Sequence, residues 1–334
     1  MVEVWYALVA FAIAAYVVLD GYDLGAGMLH LFVAKTDDER RAVLGAIGPY
    51  WDGNEVWLLA IAGALFVAFP AVLAAAFSGM YLAMFMVLWA LAFRGISIEL
   101  RGQSKNELWR AFWDFVFAVA SVVLVLLLGV ALGNVLRGFP LDPKGMVVMP
   151  LFADFTPSPP TGLLDWYTVG IAAFAMVALA RHAALFVAWK SSGDLQTRCA
   201  TTARRAMPVV LALWLAAWAT SLSVAHLRFR PLAIVFTLAA AGALGASFVL
   251  ARRARWRAAF VASSAFLASV VFGVASATFP TVLRSIDDKS SLDATAAASS
   301  PHALAIGSLW YGFGILAVVV AFARQFRQVE RDRP

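Results

Sequence analysis

The sequence predicts an all-α polytopic membrane protein. Of its 334 residues, 63% are hydrophobic and only 14% charged, a charged share well below that of a soluble domain. Apolar runs long enough to cross a bilayer as helices recur from one end to the other, and Lys and Arg gather in alternate links between them.

The first span runs from Val4 to Val33. It follows one acidic residue, lacks a basic leader region and outlasts the apolar core of a signal peptide, so it reads as a span rather than a cleaved leader. Inside it lies Asp20-Gly21-Tyr22-Asp23-Leu24-Gly25-Ala26-Gly27. Asp20 and Asp23 share a helix face, and carboxylates at that depth face protein or water and mark function. An irregular helix end capped by Asp and Gly is the structural alternative. Gly21 and Gly25 form a small-xxx-small pair suited to close helix contact.

A polar link, Lys35 to Pro49, leads to Trp51-Asp52-Gly53-Asn54-Glu55. Asp52 and Glu55 read equally well as charges complementing a helix N-terminus and as proton-handling groups. Residues 56–93 are too long an apolar block for one span. Pro70 and Ser78-Gly79 punctuate it, which gives span two to Phe69 and span three from Met80 to Phe93, extendable to Leu100.

Arg94, Glu99, Arg101, Lys105, Glu107 and Arg110 read as a polar connection, with Glu99 and Glu107 as ordinary solvated residues. Span four, Phe112 to Asn134, carries Asp114 near its start. The longest loop, Val135 to Leu164, has prolines at 140, 143, 150, 157, 159 and 160; it is either a functional or partner-contacting loop or a simple tether. Span five, Trp166 to Trp189, holds Arg181 and His182 deep in apolar sequence. Arg181 either snorkels to the near interface or pairs with a buried carboxylate or a cofactor such as a quinone or haem propionate. Arg94 and Arg181 are the candidate cofactor-binding cations.

Cys199, the one cysteine, reads as an incidental thiol in a polar loop and excludes an internal disulfide. Span six is Met207 to His226 with Pro208 in its first turn. Span seven is Leu232 to Leu250, begun by Pro231, and span eight is Ala258 to Phe279, ended by Pro280. A polar connection, Thr281 to Pro301, carries Asp287, Asp288 and Asp293. Span nine runs from His302 or Ala303 to Ala323, and a short basic tail follows.

Nine crossings place the termini on opposite faces. Each link after an odd-numbered span holds three or four Lys and Arg, and each after an even-numbered span none or two. The positive-inside rule then sets the C-terminus in the cytoplasm and the N-terminus outside. The net charge of +6 reports this orientation rather than a nucleic-acid surface.

On that map five acids gather toward the cytoplasmic face: Asp20 and Asp52 as leading candidates for a proton path, with Asp23, Glu55 and Asp114 secondary. Proton relays in membranes are built from such groups. Four histidines without metal-binding spacing give no metal site, and no phosphate loop or nucleophile–base pair is present. An acid path without an engine implies chemistry in a partner subunit, or else a proton-coupled secondary transporter, or a purely structural or assembly subunit; no internal repeat supports the transporter.

Asp20 to Met28, Trp51-Asp-Gly-Asn-Glu-Val-Trp57-Leu, Gly63-Ala-Leu-Phe66, Pro70, Ala75-Ala-Phe-Ser-Gly79, Phe93-Arg94, Trp113-Asp114 and Gly133-Asn134 together resemble subunit II of cytochrome bd-type quinol oxidases. The resemblance is distinctive before residue 135. It implies two four-helix bundles and a peripheral ninth helix: residues 1–134 as the first bundle with the acidic motifs, 135–164 as an extracytoplasmic loop, 165–280 as the second bundle, and 281–334 as an external connection, peripheral helix and basic tail. It implies a bacterial cytoplasmic membrane and a heterodimer with a subunit I that ligates haems b558, b595 and d, oxidises quinol and reduces oxygen to water with cytoplasmic protons. A small single-span accessory subunit, membrane lipids and a structural quinone in this chain belong to the same expectation. Asp20 and Asp52 match the family's proton-path acids, Asp23 stands in a structural or quinone-contacting position, and Glu55 replaces the Gln of some relatives.

Overall fold

The computed structural model describes residues 1–142, 146, 147, 149–225, 227, 228, 230–287 and 290–331. Pro143, Lys144, His226, Asp288, Lys289 and Arg333, which enter the sequence reading, lie outside the described residues.

Helix α1 (Val2–Val33) runs unbroken through Asp20 and Asp23, so the motif is helix interior rather than a capped end. The reason is packing. Residues 20–28 are all buried, and a Cβ at Gly25 would collide with the Leu179 carbonyl, one at Gly27 with Ser121. The glycines let α1 approach its neighbours at backbone distance.

The link after α1 is not irregular. Its centre is helix α2 (Asp37–Ile47), started by a capping box in which Thr36 accepts from the Glu39 N–H and the Glu39 carboxylate accepts from the Thr36 N–H. Val43 and Ile47 give it an apolar stripe against Val33 and Tyr50.

Helix α3 (Trp51–Ala68) ends before Pro70, a short helix α4 (Pro70–Gly79) follows, and α5 (Tyr81–Arg101) begins after Met80. Pro70 and Gly79 are the expected breaks, but the stretch between them is helical. Helix α6 (Glu107–Arg137) starts at an Asn106 cap that accepts from the Leu108 and Trp109 N–H groups. Arg94, Glu99, Arg101, Glu107 and Arg110 therefore sit on helices, and the connection shrinks to residues 102–106.

Beyond the end of α6, the described residues of the proline-rich loop are irregular, as its composition requires. It is pinned by bridges Phe139 to Ser285 and Phe152 to Leu164.

Helix α7 (Trp166–Lys190) carries an Asp165 and Thr168 capping box. Helix α8 (Gly193–Val224) starts well before the apolar run, which puts Pro208 inside the helix and Cys199 on it, fully buried; neither the first-turn proline nor the loop thiol of the sequence reading holds. Helices α9 (Pro231–Arg252) and α10 (Trp256–Thr278) follow. A two-stranded antiparallel ribbon, β1 (Thr281–Leu283) with β2 (Leu292–Asp293), and a single turn, α11 (Ala294–Ala297), form the next connection. Helix α12 (Pro301–Arg331) continues into the basic tail as far as Arg331.

Among the described residues, eight helices are long and apolar enough to cross a membrane: α1, α5 to α10, and Pro301–Ala321 of α12. Helix α3 has 18 residues but a polar first turn. Helix α1 packs against α3, α6, α7 and α10, which makes it the axis of the bundle, while α12 leans on α3.

Candidate functional site

Two charged centres lie near the end of the bundle that carries α2. The deeper one is built from α1, α3 and α5. Arg94, fully buried midway along α5, sets Nη2 2.8 Å from Asp20 Oδ1, and the same nitrogen donates to Glu55 Oε1. Asp20 is fully buried, whereas the Glu55 side chain is 26% exposed. One guanidinium thus joins an interior carboxylate to one in contact with the surroundings. A lone carboxylate at this depth costs about 2.5–3.5 kcal/mol, and a buried pair offsets that cost only while both members remain.

Asp23 is held separately. Asn54 Nδ2 lies 2.6 Å from Asp23 Oδ2 and 2.8 Å from the Tyr22 hydroxyl. Around these pairs, buried polar atoms of Tyr16, Asp20, Asp23, Asn54, Trp57 and Arg94 lack a hydrogen-bond partner among the described residues. Six residues with unpaired atoms in one place suit bridging water, which buried polar groups ordinarily recruit. Asp52 is exposed on the first turn of α3, three residues from Glu55, and makes no ion pair among the described residues.

The second centre is Asp114. His30 Nε2 lies 2.6 Å and Arg101 Nε 2.5 Å from its Oδ1, and Arg40 Nη1 lies 3.1 Å from its Oδ2. Arg101 also reaches Asp37 at 2.8 Å, where Arg110 and Arg41 converge at 2.9 and 2.6 Å. Partial desolvation acts to raise the Asp37 carboxyl, but the Arg101 hydrogen bond and these charges hold it below its ordinary value. Glu39 is likewise held low, first by the Lys35 N–H and then by Arg198, to which it is ion-paired. The centre fastens α2 across the ends of α1, α5, α6 and α8.

Arg181 is 2% exposed and its Nη2 donates to Ser247 at 3.0 Å. It neither snorkels nor meets a carboxylate among the described residues. His182 bonds Ser263 and the Val18 carbonyl. A crevice of about 490 Å³ between α6, α7, α8, α9 and α10 is lined by Phe174, Trp214, Trp218 and Leu238 with Arg228 at its edge; Arg94 and Arg181 do not line it.

The structure thus brings Asp20 and Glu55 together, gives Asp23 to Asn54 and Asp114 to a basic cluster, and leaves Asp52 at the surface. Sequence reasoning passed over Arg101, Asn54 and His30, whose partners lie far away in the chain, and the buried pair of Arg137 with Asp165. That pair had a signal: Arg in the last turn of one span and Asp immediately before the next.

A sequence profile of the family described as "Cytochrome bd terminal oxidase subunit II" matches residues 1–329. "Cytochrome bd ubiquinol oxidase subunit 2" of Bacillus subtilis (strain 168) is 32% identical over 314 residues, covering 92% of this chain and 89% of that one. "Cytochrome bd-I ubiquinol oxidase subunit 2" of Escherichia coli (strain K12) is 37% identical over 209 residues, 62% of this chain but 54% of that relative, so the match spans about half of the relative's length. In fold, the chain is similar to a chain of "The structure of bd oxidase from Geobacillus thermodenitrificans", with a TM-score of 0.72 and 18% identity over 99% of both chains. By the profile match over nearly its whole length, the chain belongs to the cytochrome bd terminal oxidase subunit II family.

Proposed function

We propose that this chain is the non-haem-ligating large subunit of a membrane quinol:oxygen oxidoreductase, one that supplies protons from the cytoplasm to oxygen chemistry performed in a haem-bearing subunit I. The observation that carries the reading is the Glu55, Arg94 and Asp20 series. It leads from a partly exposed carboxylate to a fully buried one within hydrogen-bonding distance of a shared cation. A proton arriving on Glu55 moves inward while Arg94 keeps either acid from standing as a bare charge. Asp52, exposed one turn away, gathers protons at the entrance. Asp23, bonded to Asn54, steadies the inner acid, and Asp114 fastens the α2 end over the path.

Counting α3 as a crossing gives nine spans in two four-helix bundles with α12 peripheral. The Lys and Arg distribution supports a cytoplasmic C-terminus in a bacterial cytoplasmic membrane. Haems b558, b595 and d belong to the partner in this reading: His30 and His182 of this chain spend ring nitrogens on Asp114 and on Ser263 and Val18. The apolar crevice beside Trp214 suits a non-substrate quinone better than Arg94, whose charge is already met by carboxylates. Membrane lipids and a small accessory subunit complete the assembly.

The test is gentle detergent purification followed by an absorption spectrum and oxygen consumption with a quinol. Co-purifying haem and quinol-dependent oxygen uptake are expected. A chain that purifies free of haem and moves a solute across vesicles is a transporter instead.

A further inference from the structure

The tyrosine one helical turn beyond Asp20, Tyr16, has no role in the path as described. Its ring packs with Ala12 and Trp57 in an apolar cluster, a task phenylalanine would perform equally. The hydroxyl is the part without an explanation: Tyr16 is 6% exposed, and the oxygen has no well-aligned hydrogen bond. Asp20, Arg94 and Glu55 are the charges that act on it. Both Asp20 oxygens, one of them ion-paired with Arg94, and the indole nitrogen of Trp57, the latter 4% exposed, likewise lack a well-aligned hydrogen bond. Residues at i and i+4 of a helix are neighbours, so Tyr16 stands beside Asp20 on the side away from α2. A phenol buried beside a carboxyl is both donor and acceptor.

We infer that Tyr16 is the next proton carrier after Asp20, its hydroxyl passing the proton toward the middle of the membrane through water held between α1 and α3. The transfer balances. Protonated Asp20 gives its proton to a lone pair of the Tyr16 oxygen, the hydroxyl releases its own proton to the neighbouring water, and Asp20 returns to a carboxylate paired with Arg94. Tyr16 is neutral before and after, and no electron moves. The inference rests on the proposed cytoplasmic path and extends it by one residue.

The test compares Tyr16→Phe, Tyr16→His and Asp20→Asn in the intact, membrane-purified complex, reading quinol-dependent oxygen consumption per haem in water and in deuterium oxide. Tyr16→Phe, which fills the same space, is expected to slow turnover about a hundredfold and to enlarge the solvent isotope effect. Tyr16→His, which also relays protons, is expected to recover most of the rate. Unchanged turnover in Tyr16→Phe with slowed turnover in Asp20→Asn overturns the role of Tyr16 and leaves the path standing. Unchanged turnover in both overturns the path itself. A Tyr16→His variant as slow as Tyr16→Phe, or failure of Tyr16→Phe to assemble, makes the contribution one of packing and ends the inference.

Discussion

Nη2 of Arg94 lies 2.8 Å from Asp20 Oδ1 while donating to Glu55, so a single nitrogen holds two carboxylates of different exposure. Removing that cation leaves Asp20 buried and uncompensated. Arg94→Gln is expected to destabilise the subunit by about 3–5 kcal/mol and Arg94→Lys by less. Thermal unfolding of the purified complex, followed by haem retention, measures the difference; equal stability of Arg94→Gln and the parent rejects the pairing.

Asp20→Asn and Asp52→Asn are expected to slow oxygen reduction more than they disturb haem content. For Asp20 the loss is about a hundredfold, the lower end of the range for a positioned proton-transfer group. Turnover per haem at saturating quinol is the measurement. Normal rates in both folded variants remove them from the path.

Glu55→Gln keeps the shape and the Arg94 hydrogen bond but not the charge. A smaller loss of turnover than in Asp20→Asn is expected, with full assembly, because Asp52 still receives protons nearby. A Glu55→Gln rate below that of Asp20→Asn would reverse the order of the relay.

Asp114 binds His30, Arg40 and Arg101 at once. Asp114→Ala leaves several buried donors unpaired and is expected to cost about 3–5 kcal/mol and to loosen α2. Hydrogen exchange over residues 36–48 reads this directly; protection equal to the parent's contradicts the fastening role.

Asp37 and Glu39 are held below their ordinary values of 3.8 and 4.5. Groups depressed in the folded state contribute stability that is complete above those ordinary values and fades as pH falls through the depressed ones. The α2 clamp is therefore expected to hold at neutral pH and to weaken below about 4.5, the ordinary Glu39 value. Exchange over residues 36–48 at descending pH checks the sign.

The spans were legible where apolar length alone decides, as in α1, α7, α9 and α10. Helix α2 was not, because its first five residues are all charged and its apolar ones are too short a run for a span, although Thr36 and Glu39 stood at capping-box spacing. Cys199 was misplaced because α8 begins in polar sequence and buries one face there before the apolar run starts. Within the site, Asp20 was readable from its depth and Glu55 from its motif. Their union through Arg94 was not, since the arginine follows an apolar run and reads as the first residue of a loop. Asp114 carried the same ambiguity: its cations come from three other helices.

Gly25 meets the backbone of α7 at Leu179 with no side chain between them. That crossing leaves no room for a side chain, so α1 and α7 touch backbone to backbone little more than one turn from Asp20. A side chain at Gly25 would have to push α1 away from α7, which would shift Asp20 relative to the α3 and α5 that carry Glu55 and Arg94.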